Sequence, residues 1–493
     1  MALDQEFEQR IGARSFARLL GEWRPRDGRG LASALADRVR LLVLDGRLPL
    51  HTRVPAEREL ASVLDVSRTT VAAAYDALRD DEVLHSRRGS GSWTQMPGGA
   101  GSARPQPFAP NTDPALYDLA ISALSSPTDG MRATVAEAAR DLDAYLCHPG
   151  YELQGIPELR AAIAARYVAR GLPTTPDQIL VTPGAQGALS LIVTAMTSPG
   201  DRVLAEHPSY PNALGAIARQ GARPVPLPMV PGSDGTADWD LDLATAAVRD
   251  AAPKLIYLIP DFQNPTGAVL DAAGRERVVD LARRTGTPVI ADETLSELWF
   301  EEPPPAPVAA HGAVDSPLLL TIGSASKVFW GGLRVGWIRT SAPMVRRLST
   351  FRATIDLGSP IFEQVLTARL LADVEETAIA RRAELRASRD RVAGRIATLF
   401  PSWRVGRPAG GMCHWVDLGS PDSSRLVSAA RRRDVLLAAG PRFGLDGAFE
   451  RYLRVPYVLR QDRMDEALAR IAIAWSEIDR ATPVVDPPEW SVA

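Results

Sequence analysis

Lysine is almost absent from this chain: of its 56 basic residues only Lys254 and Lys327 are lysines. Arginine stays protonated at any ordinary pH and is no Schiff-base nucleophile, whereas a lysine with a lowered pKa can attack an aldehyde. A lysine kept in so arginine-rich a sequence marks a place where an amine is needed. Cysteine is as scarce. Cys147 and Cys413 lie far apart without metal-type spacing and the six histidines are scattered, so neither a disulfide framework nor a metal site is expected, and both cysteines read as core residues. Long apolar runs are missing too: no stretch reaches eighteen residues, and Met1 to Arg10 is too acidic for a secretory leader. A cytoplasmic protein without membrane contact is expected. Nor is there a strong charge of one sign. The net charge is −3, and residues 1–96 carry 15 Arg against 14 Asp plus Glu, so charge alone announces no nucleic-acid partner.

With 493 residues, 45% of them hydrophobic and 23% charged, the chain exceeds one ordinary domain and can form true cores. From Leu31 to Thr94 the pattern reads helix, helix, turn, helix, hairpin. Leu31, Leu35, Val39 and Leu42 recur at helical spacing and Gly46 stops that helix. Glu57 to Leu64 predicts a second helix, broken at Asp65-Val66. Ser67 then caps a third, with Val71, Ala74, Tyr75 and Leu78 on one face. Val83 and Leu84 lead through Arg87-Arg88-Gly89-Ser90-Gly91 to Trp93, which suits a two-stranded wing. Residues 1–95 are therefore expected to form a mostly α winged helix-turn-helix, and the Gly-, Pro- and Ser-rich residues 96–114 a linker. Over 115–493, strand-like runs at Ile179 to Thr182, Arg202 to Ala205, Leu255 to Ile259, Pro288 to Ala291 and Leu318 to Ile322 alternate with helical patterns such as Glu158 to Arg170 and Arg275 to Arg284. That alternation predicts an α/β domain with a mostly parallel, doubly covered sheet, ending from about Phe362 in a smaller α+β subdomain.

A third helix that opens Ser67-Arg68-Thr69-Thr70 has the arrangement that lays its N-terminus against base edges in the major groove. Arg68 suits a forked contact to guanine, Thr69 and Thr70 a base or phosphate, and Arg58, Arg87 and Arg88 the backbone. Residues 46–94, with Pro55-Ala56-Glu57-Arg58, Leu60-Ala61, Val66 to Val71, Tyr75, Leu78 and the Gly89-Ser90-Gly91 tip, resemble the GntR winged-helix domain, departing from it at Ala56, where serine is commoner. The resemblance implies a double-stranded DNA operator as partner.

The second domain offers one candidate for each need of pyridoxal 5'-phosphate: an amine for its aldehyde, an anion site, an acid for its ring nitrogen and a flat surface for its ring. Lys327 lies in Gly323-Ser324-Ala325-Ser326-Lys327, and Arg334 follows seven residues on in a glycine-rich turn. The amine can thus reach the aldehyde while the guanidinium holds the phosphate. Gly184-Ala185-Gln186 opens a helix whose free N–H groups suit the same phosphate. Asp292, at the carboxyl end of a strand, suits the ring nitrogen, and Asn264 in Asn264-Pro265-Thr266-Gly267 the phenolic oxygen. Lys254, in a loop before a strand, reads as plain surface.

This set resembles the class I/II aminotransferases of fold type I over roughly residues 115 to 480. The resemblance implies that Lys327 is the catalytic, cofactor-bearing lysine, and that Asp292, Asn264, Ser324, Thr294 and Arg334 surround the cofactor. It makes Tyr210 in Pro208-Ser209-Tyr210-Pro211 the stacking ring and Arg454 the holder of a ligand's α-carboxylate. Tyr151 would reach the partner's phosphate across a head-to-tail homodimer. One departure concerns the segment after Asp292. The family usually carries a tyrosine there that bonds the phenolic oxygen, but the chain reads Asp292-Glu293-Thr294-Leu295. Thr294 is too short for that contact, which puts fast proton transfer in doubt but not cofactor binding. The pairing of the two motif sets resembles the MocR subfamily. It implies a regulator that senses a small amine, an amino acid or the cofactor itself, with an active aminotransferase as the alternative.

Overall fold

The computed structural model describes residues 9–21, 23–24, 30–44, 47–81, 83–87, 91–95, 113, 115–232, 237–445 and 447–478. Gly46, Arg88, Gly89 and Ser90 lie outside these residues, as does the expected linker apart from Asp113, and of Arg87 only the backbone is described.

The N-terminal unit is three helices and a small sheet, with a further helix in front. Helix Leu31–Leu44 packs against helix Arg68–Asp80, which is preceded by helix Glu57–Leu64. Asp65 ends the latter in the left-handed conformation at φ 51°. The Ser67 side chain then accepts from Thr70 N at 3.0 Å and starts the next helix. Val71, Ala74, Tyr75 and Leu78 are all buried, and Tyr75 Oη donates to the Pro55 carbonyl at 2.9 Å. Strands Leu84–Arg87 and Gly91–Thr94 pair antiparallel as the wing. Ahead of these, helix Ala13–Leu20 buries Phe16, Leu19 and Leu20 against the same core, and strand Gln9–Arg10 pairs in parallel with Thr52–Arg53. Arg24 donates to the carbonyls of Leu64 and Asp65 at 2.8 and 3.1 Å, satisfying the end of helix Glu57–Leu64.

The large unit is built on an eight-stranded sheet. Its order is Ile179–Thr182, Gly336–Arg339, Leu319–Ser324, Val289–Asp292, Leu255–Leu258, Arg202–His207, Arg223–Pro231 and Ala237–Trp239. The central pairings are parallel, and Gly336–Arg339 runs antiparallel between Leu319–Ser324 and Ile179–Thr182. Two hydrophobic clusters cover the two faces. Strand Arg223–Pro231 carries Pro224, Pro226 and Pro228 at every second position. Their nitrogens, which bear no hydrogen, all point to one side, while the other side pairs with Arg202–His207. That proline run disguised the strand in the sequence. The C-terminal part folds as expected into helices around a four-stranded sheet, Arg404–Val405, Cys413–Asp417, Tyr452–Pro456 and Ala438–Ala439. Strand Val435–Leu436 pairs in parallel with Tyr117–Asp118 from the start of the large unit. Cys413 is buried, but Cys147 is exposed, contrary to the expectation of two core cysteines. Leu142–Ala144 form only one short turn before it, too little to cover it. Among the described residues no helix is long and apolar enough to cross a membrane, and no His, Cys, Asp and Glu cluster could hold a metal.

Candidate functional site

At the carboxyl ends of the parallel strands, the chain assembles residues from several separate segments. Gly184 opens helix Gly184–Met196 at φ +73°. A Cβ there would come within 2.4 Å of the Arg334 guanidinium, so the missing side chain is what lets Arg334 lie on the helix N-terminus. Gly336 has the same role from the next strand: a Cβ on it would meet the Gly184 carbonyl carbon at 2.4 Å and Ala185 N at 2.5 Å. Arg334 donates to the carbonyls of Pro183 and Gly331 at 3.2 and 3.3 Å. Gln186 Nε2 bonds the Asn212 carbonyl at 3.3 Å and leaves its buried Oε1 without a partner among protein atoms. Ser324 Oγ accepts from Ser326 N at 3.1 Å, and Ser326 Oγ is a buried hydroxyl without a partner. The Arg334 guanidinium thus lies beside the opening of helix Gly184–Met196, a pairing of a cation with free N–H groups that suits an anion.

Lys327 follows strand Leu319–Ser324, and its Nζ donates to the Ser122 carbonyl at 2.9 Å. Burial, then the nearby Arg454 charge, lower the amine to about 8, against the opposing pull of Asp292. Asp292 ends strand Val289–Asp292 and is itself buried. Burial pushes its carboxyl above the ordinary range, while bonds from Thr294 and Tyr257 pull it back. Tyr257 Oη donates to Asp292 Oδ2 at 2.9 Å and Thr294 N to Oδ1 at 3.2 Å. Thr294 therefore serves the carboxylate. Tyr257, fully buried in a core strand, carries no sequence signal beyond the apolar run around it.

The opposite wall comes from two loops tied together from beneath. Glu206, fully buried, accepts from Trp239 Nε1 at 2.8 Å, Ile259 N at 3.0 Å and Gln263 Nε2 at 3.0 Å. Burial drives its carboxyl up to about 7 in spite of these donors. Gln263 Nε2 also donates to the Pro208 carbonyl at 2.8 Å, and its Oε1 accepts from Thr266 N at 3.0 Å. One glutamine thus positions the Tyr210 loop and the Asn264 loop together. Tyr210 lies within electrostatic reach of Asp292, Arg454 and Arg334. Arg454, on strand Tyr452–Pro456, donates to Asn264 Oδ1 at 3.4 Å and to the Ala120 carbonyl, and its cation lies 4.9 Å from the Phe443 ring. Arg454 Nε is buried without a protein partner. Cys413, which sequence reasoning left out of this site, lies within electrostatic reach of Lys327 and Arg454.

Tyr151 is not in this cluster. It is 70% exposed, and Leu146, Ile355 and Leu357 are exposed apolar residues as well. On the winged helix, Arg58 is exposed at the start of helix Glu57–Leu64, and Ser67, Arg68 and Thr69 are exposed at the opening of helix Arg68–Asp80, with Thr70 half-buried. Arg68 reaches back to Glu57 Oε2 at 3.4 Å, an exposed pair of little strength that leaves the guanidinium able to exchange partners.

Residues 31–93 match the gntR family of bacterial regulatory proteins, and residues 117–471 match aminotransferase class I and II. The HTH-type transcriptional regulator YisV of Bacillus subtilis is 30% identical, over 84% of this chain and 89% of its own length. MocR of Rhizobium meliloti, a rhizopine catabolism regulatory protein, is 30% identical over 62% of this chain and 64% of its own. Among solved structures, LysN, the alpha-aminoadipate aminotransferase of Thermus thermophilus, superposes with a TM-score of 0.66. It is 27% identical and covers 74% of this chain and 92% of its own. A GntR reader in front of a fold-type-I aminotransferase domain that fills most of the chain places this protein in the aminotransferase class I and II family and in the MocR subfamily of GntR regulators.

Proposed function

We propose that the chain acts in the cytoplasm as a transcription regulator that holds pyridoxal 5'-phosphate at Lys327 and adjusts operator binding to a small amine or amino acid. The observation that carries this reading is the half-buried Lys327 amine, which donates to the Ser122 carbonyl within electrostatic reach of Asp292 and Arg454, in a chain that also bears a winged helix. LysN, the structural relative, was solved with N-(5'-phosphopyridoxyl)-L-leucine. The pocket here suits the same group on its own geometry. Gly184 leaves room at the helix N-terminus, Arg334 lies over it, and Ser326 Oγ is a buried hydroxyl in want of a bond. When bound, the cofactor supplies an aldehyde and an electron-withdrawing ring.

The remaining tasks fall to the chain. Lys327 Nζ provides the nucleophile. Asp292, oriented by Tyr257 and Thr294, holds a proton on the ring nitrogen, and Asn264 donates to the phenolic oxygen. Gly184, Ala185, Gln186, Ser324 and Arg334 take the phosphate, Tyr210 covers the ring and Arg454 receives a carboxylate. Tyr151, 70% exposed, is proposed to reach the phosphate of a second copy, which makes the working unit a head-to-tail homodimer carrying two DNA readers. Domains at 1–95 and 115–493 joined by 96–114 would let an effector change the spacing of those readers. Arg58, Ser67, Arg68, Thr69 and Thr70, with Arg87, Arg88 and Gly89 of the wing, are proposed to meet the duplex. The test is the absorption spectrum of the purified protein with added cofactor, before and after borohydride reduction. A visible band that reduction fixes at Lys327 supports the reading, and no band at excess cofactor refutes it.

The second reading, an aminotransferase whose winged helix controls its own expression, is favoured by Arg454 and the LysN likeness and opposed by Thr294. Turnover of an amino acid with a common oxo acid at ordinary enzyme rates would establish it.

A further inference from the structure

In front of the winged helix stands an arginine-bearing element that no step above uses. Arg10, Arg14 and Arg18 follow one another at every fourth position, and all three are exposed. Arg14 and Arg18 belong to helix Ala13–Leu20, which contains no acidic residue. That helix turns Phe16, Leu19 and Leu20 into the core, and at about 100° per residue its two arginines fall on the opposite, outward face. These residues precede 31–93, the part that matches the gntR family.

Two independent contacts fix the direction in which the element runs. Strand Gln9–Arg10 pairs in parallel with Thr52–Arg53, Gln9 beside Thr52 and Arg10 beside Arg53. Thr52–Arg53 is antiparallel to Gly91–Thr94: His51 N donates to the Thr94 carbonyl at 2.9 Å and Val54 N to the Ser92 carbonyl at 3.0 Å. Both strands therefore run toward the end of the sheet at which Arg87 pairs with Gly91 and the wing turns. Arg53 lies there against Gly91, on which a Cβ would come within 2.7 Å of its Nε. The second contact is at the far end of the unit, where Arg24 holds the carbonyls of Leu64 and Asp65. Entered beside Arg53 and left beside Leu64, helix Ala13–Leu20 opens at the same end as helix Glu57–Leu64, against which it packs. Arg10 and Arg14 thus come to the side of the unit that presents the wing and Arg58. The opening of helix Arg68–Asp80 belongs to that side too, since Arg68 Nε lies 3.4 Å from Glu57 Oε2.

Among the described residues neither the Arg10 nor the Arg14 guanidinium has a hydrogen-bonded or ionic partner, whereas Arg18, one turn further on, lies 3.9 Å from Asp242 of the large unit. Two exposed cations continuous with a face that reads DNA are complementary to the phosphates of the same duplex.

We propose that Arg10 and Arg14 form an additional DNA contact, continuous with the winged helix, that grips the phosphate backbone of the duplex. This rests on the reading of the winged helix as a DNA reader. Such contacts add affinity and fix register without reading sequence.

The test uses the full-length protein and a duplex that it selects from random-sequence DNA, with affinity measured by fluorescence anisotropy over a range of salt concentrations. Each phosphate contact contributes about 0.9 to the slope of log affinity against log salt. Arg10→Gln combined with Arg14→Gln should therefore flatten the slope by about 2 and weaken binding about tenfold or more near physiological salt. Arg10→Lys combined with Arg14→Lys should keep most of the slope, because phosphate neutralisation asks only for charge. Arg18→Gln, the control, should change neither quantity. The paired Gln variant should keep the melting temperature and the base preference of the wild type. A wild-type slope in that variant overturns the proposal, as does a changed base preference. So does a loss of affinity that accompanies a change of oligomeric state in sedimentation, which would assign the arginines to a subunit contact. These results leave the DNA-reader reading standing, whereas a wild type that selects no duplex from the pool overturns both.

Discussion

Lys327 is the residue proposed to carry the cofactor, and its environment makes two predictions. Lys327→Ala should abolish the reducible visible band while operator binding in a mobility-shift assay stays within about threefold of wild type. Arg68→Ala should do the reverse, because a forked arginine–guanine contact contributes about 1–3 kcal/mol of recognition. Loss of both properties together in either folded variant would refute two separable modules. The second prediction concerns pH. Only the unprotonated amine attacks, and burial places Lys327 at about 8. The rate of cofactor loading by the apo-protein should therefore rise about tenfold per pH unit below 8 and level off above it. A profile still climbing steeply beyond pH 9 would mean that the amine is not depressed. Lys327 could be found in the sequence because lysine is so rare there. Tyr257 could not, since a tyrosine inside Leu255–Leu258 reads as core until the fold aims its hydroxyl at Asp292.

Among the elements, the contact between helix Gly184–Met196 and strand Gly336–Arg339 bears most on the proposed phosphate site. Gly336→Ala would press a methyl group onto the backbone of Gly184 and Ala185, which cannot swing aside as a side chain can. We expect a stability loss of about 1–3 kcal/mol by thermal denaturation. Cofactor affinity should fall at least about tenfold, and an unchanged dissociation constant would argue against a phosphate at that helix end. Glu206 acts similarly from beneath: Glu206→Leu strips the buried donors Trp239 Nε1, Ile259 N and Gln263 Nε2 of their acceptor. A cost of about 3 kcal/mol or more is expected, since each orphaned donor costs about 1–3 kcal/mol. The helix-turn-helix was legible to the residue because its signals, the Ser67 cap and the break at Asp65, are local. The proline strand Arg223–Pro231 and the antiparallel strand Gly336–Arg339 were hidden. Proline and glycine normally end strands, and only the side of one left without a strand partner beside Pro224, Pro226 and Pro228 and the tight packing of the other make them admissible.

Across the whole molecule, the question is how a pocket in one unit can govern DNA contact by the other. The exposed apolar residues Leu146, Tyr151, Ile355 and Leu357 are proposed to be covered by a second copy. Ile355→Asp should then shift the protein from dimer to monomer in sedimentation and weaken binding to a two-half-site operator far more than to a single half-site. A variant that stays dimeric would remove the face from consideration. By itself the sequence determined the inventory: a winged helix, an alternating α/β domain, and a lysine, an arginine and a glycine-rich turn at spacings set by neighbouring residues. Only the tertiary structure decided which groups meet. It brought Tyr257 to Asp292 across 35 residues, Ser122 to Lys327 across 205, and Ala120 to Arg454 across 334. Local spacing is set by helix and strand geometry and can be read along the chain. Contacts at such separations depend on strand order and on the packing of loops at one sheet edge, which no window of sequence contains.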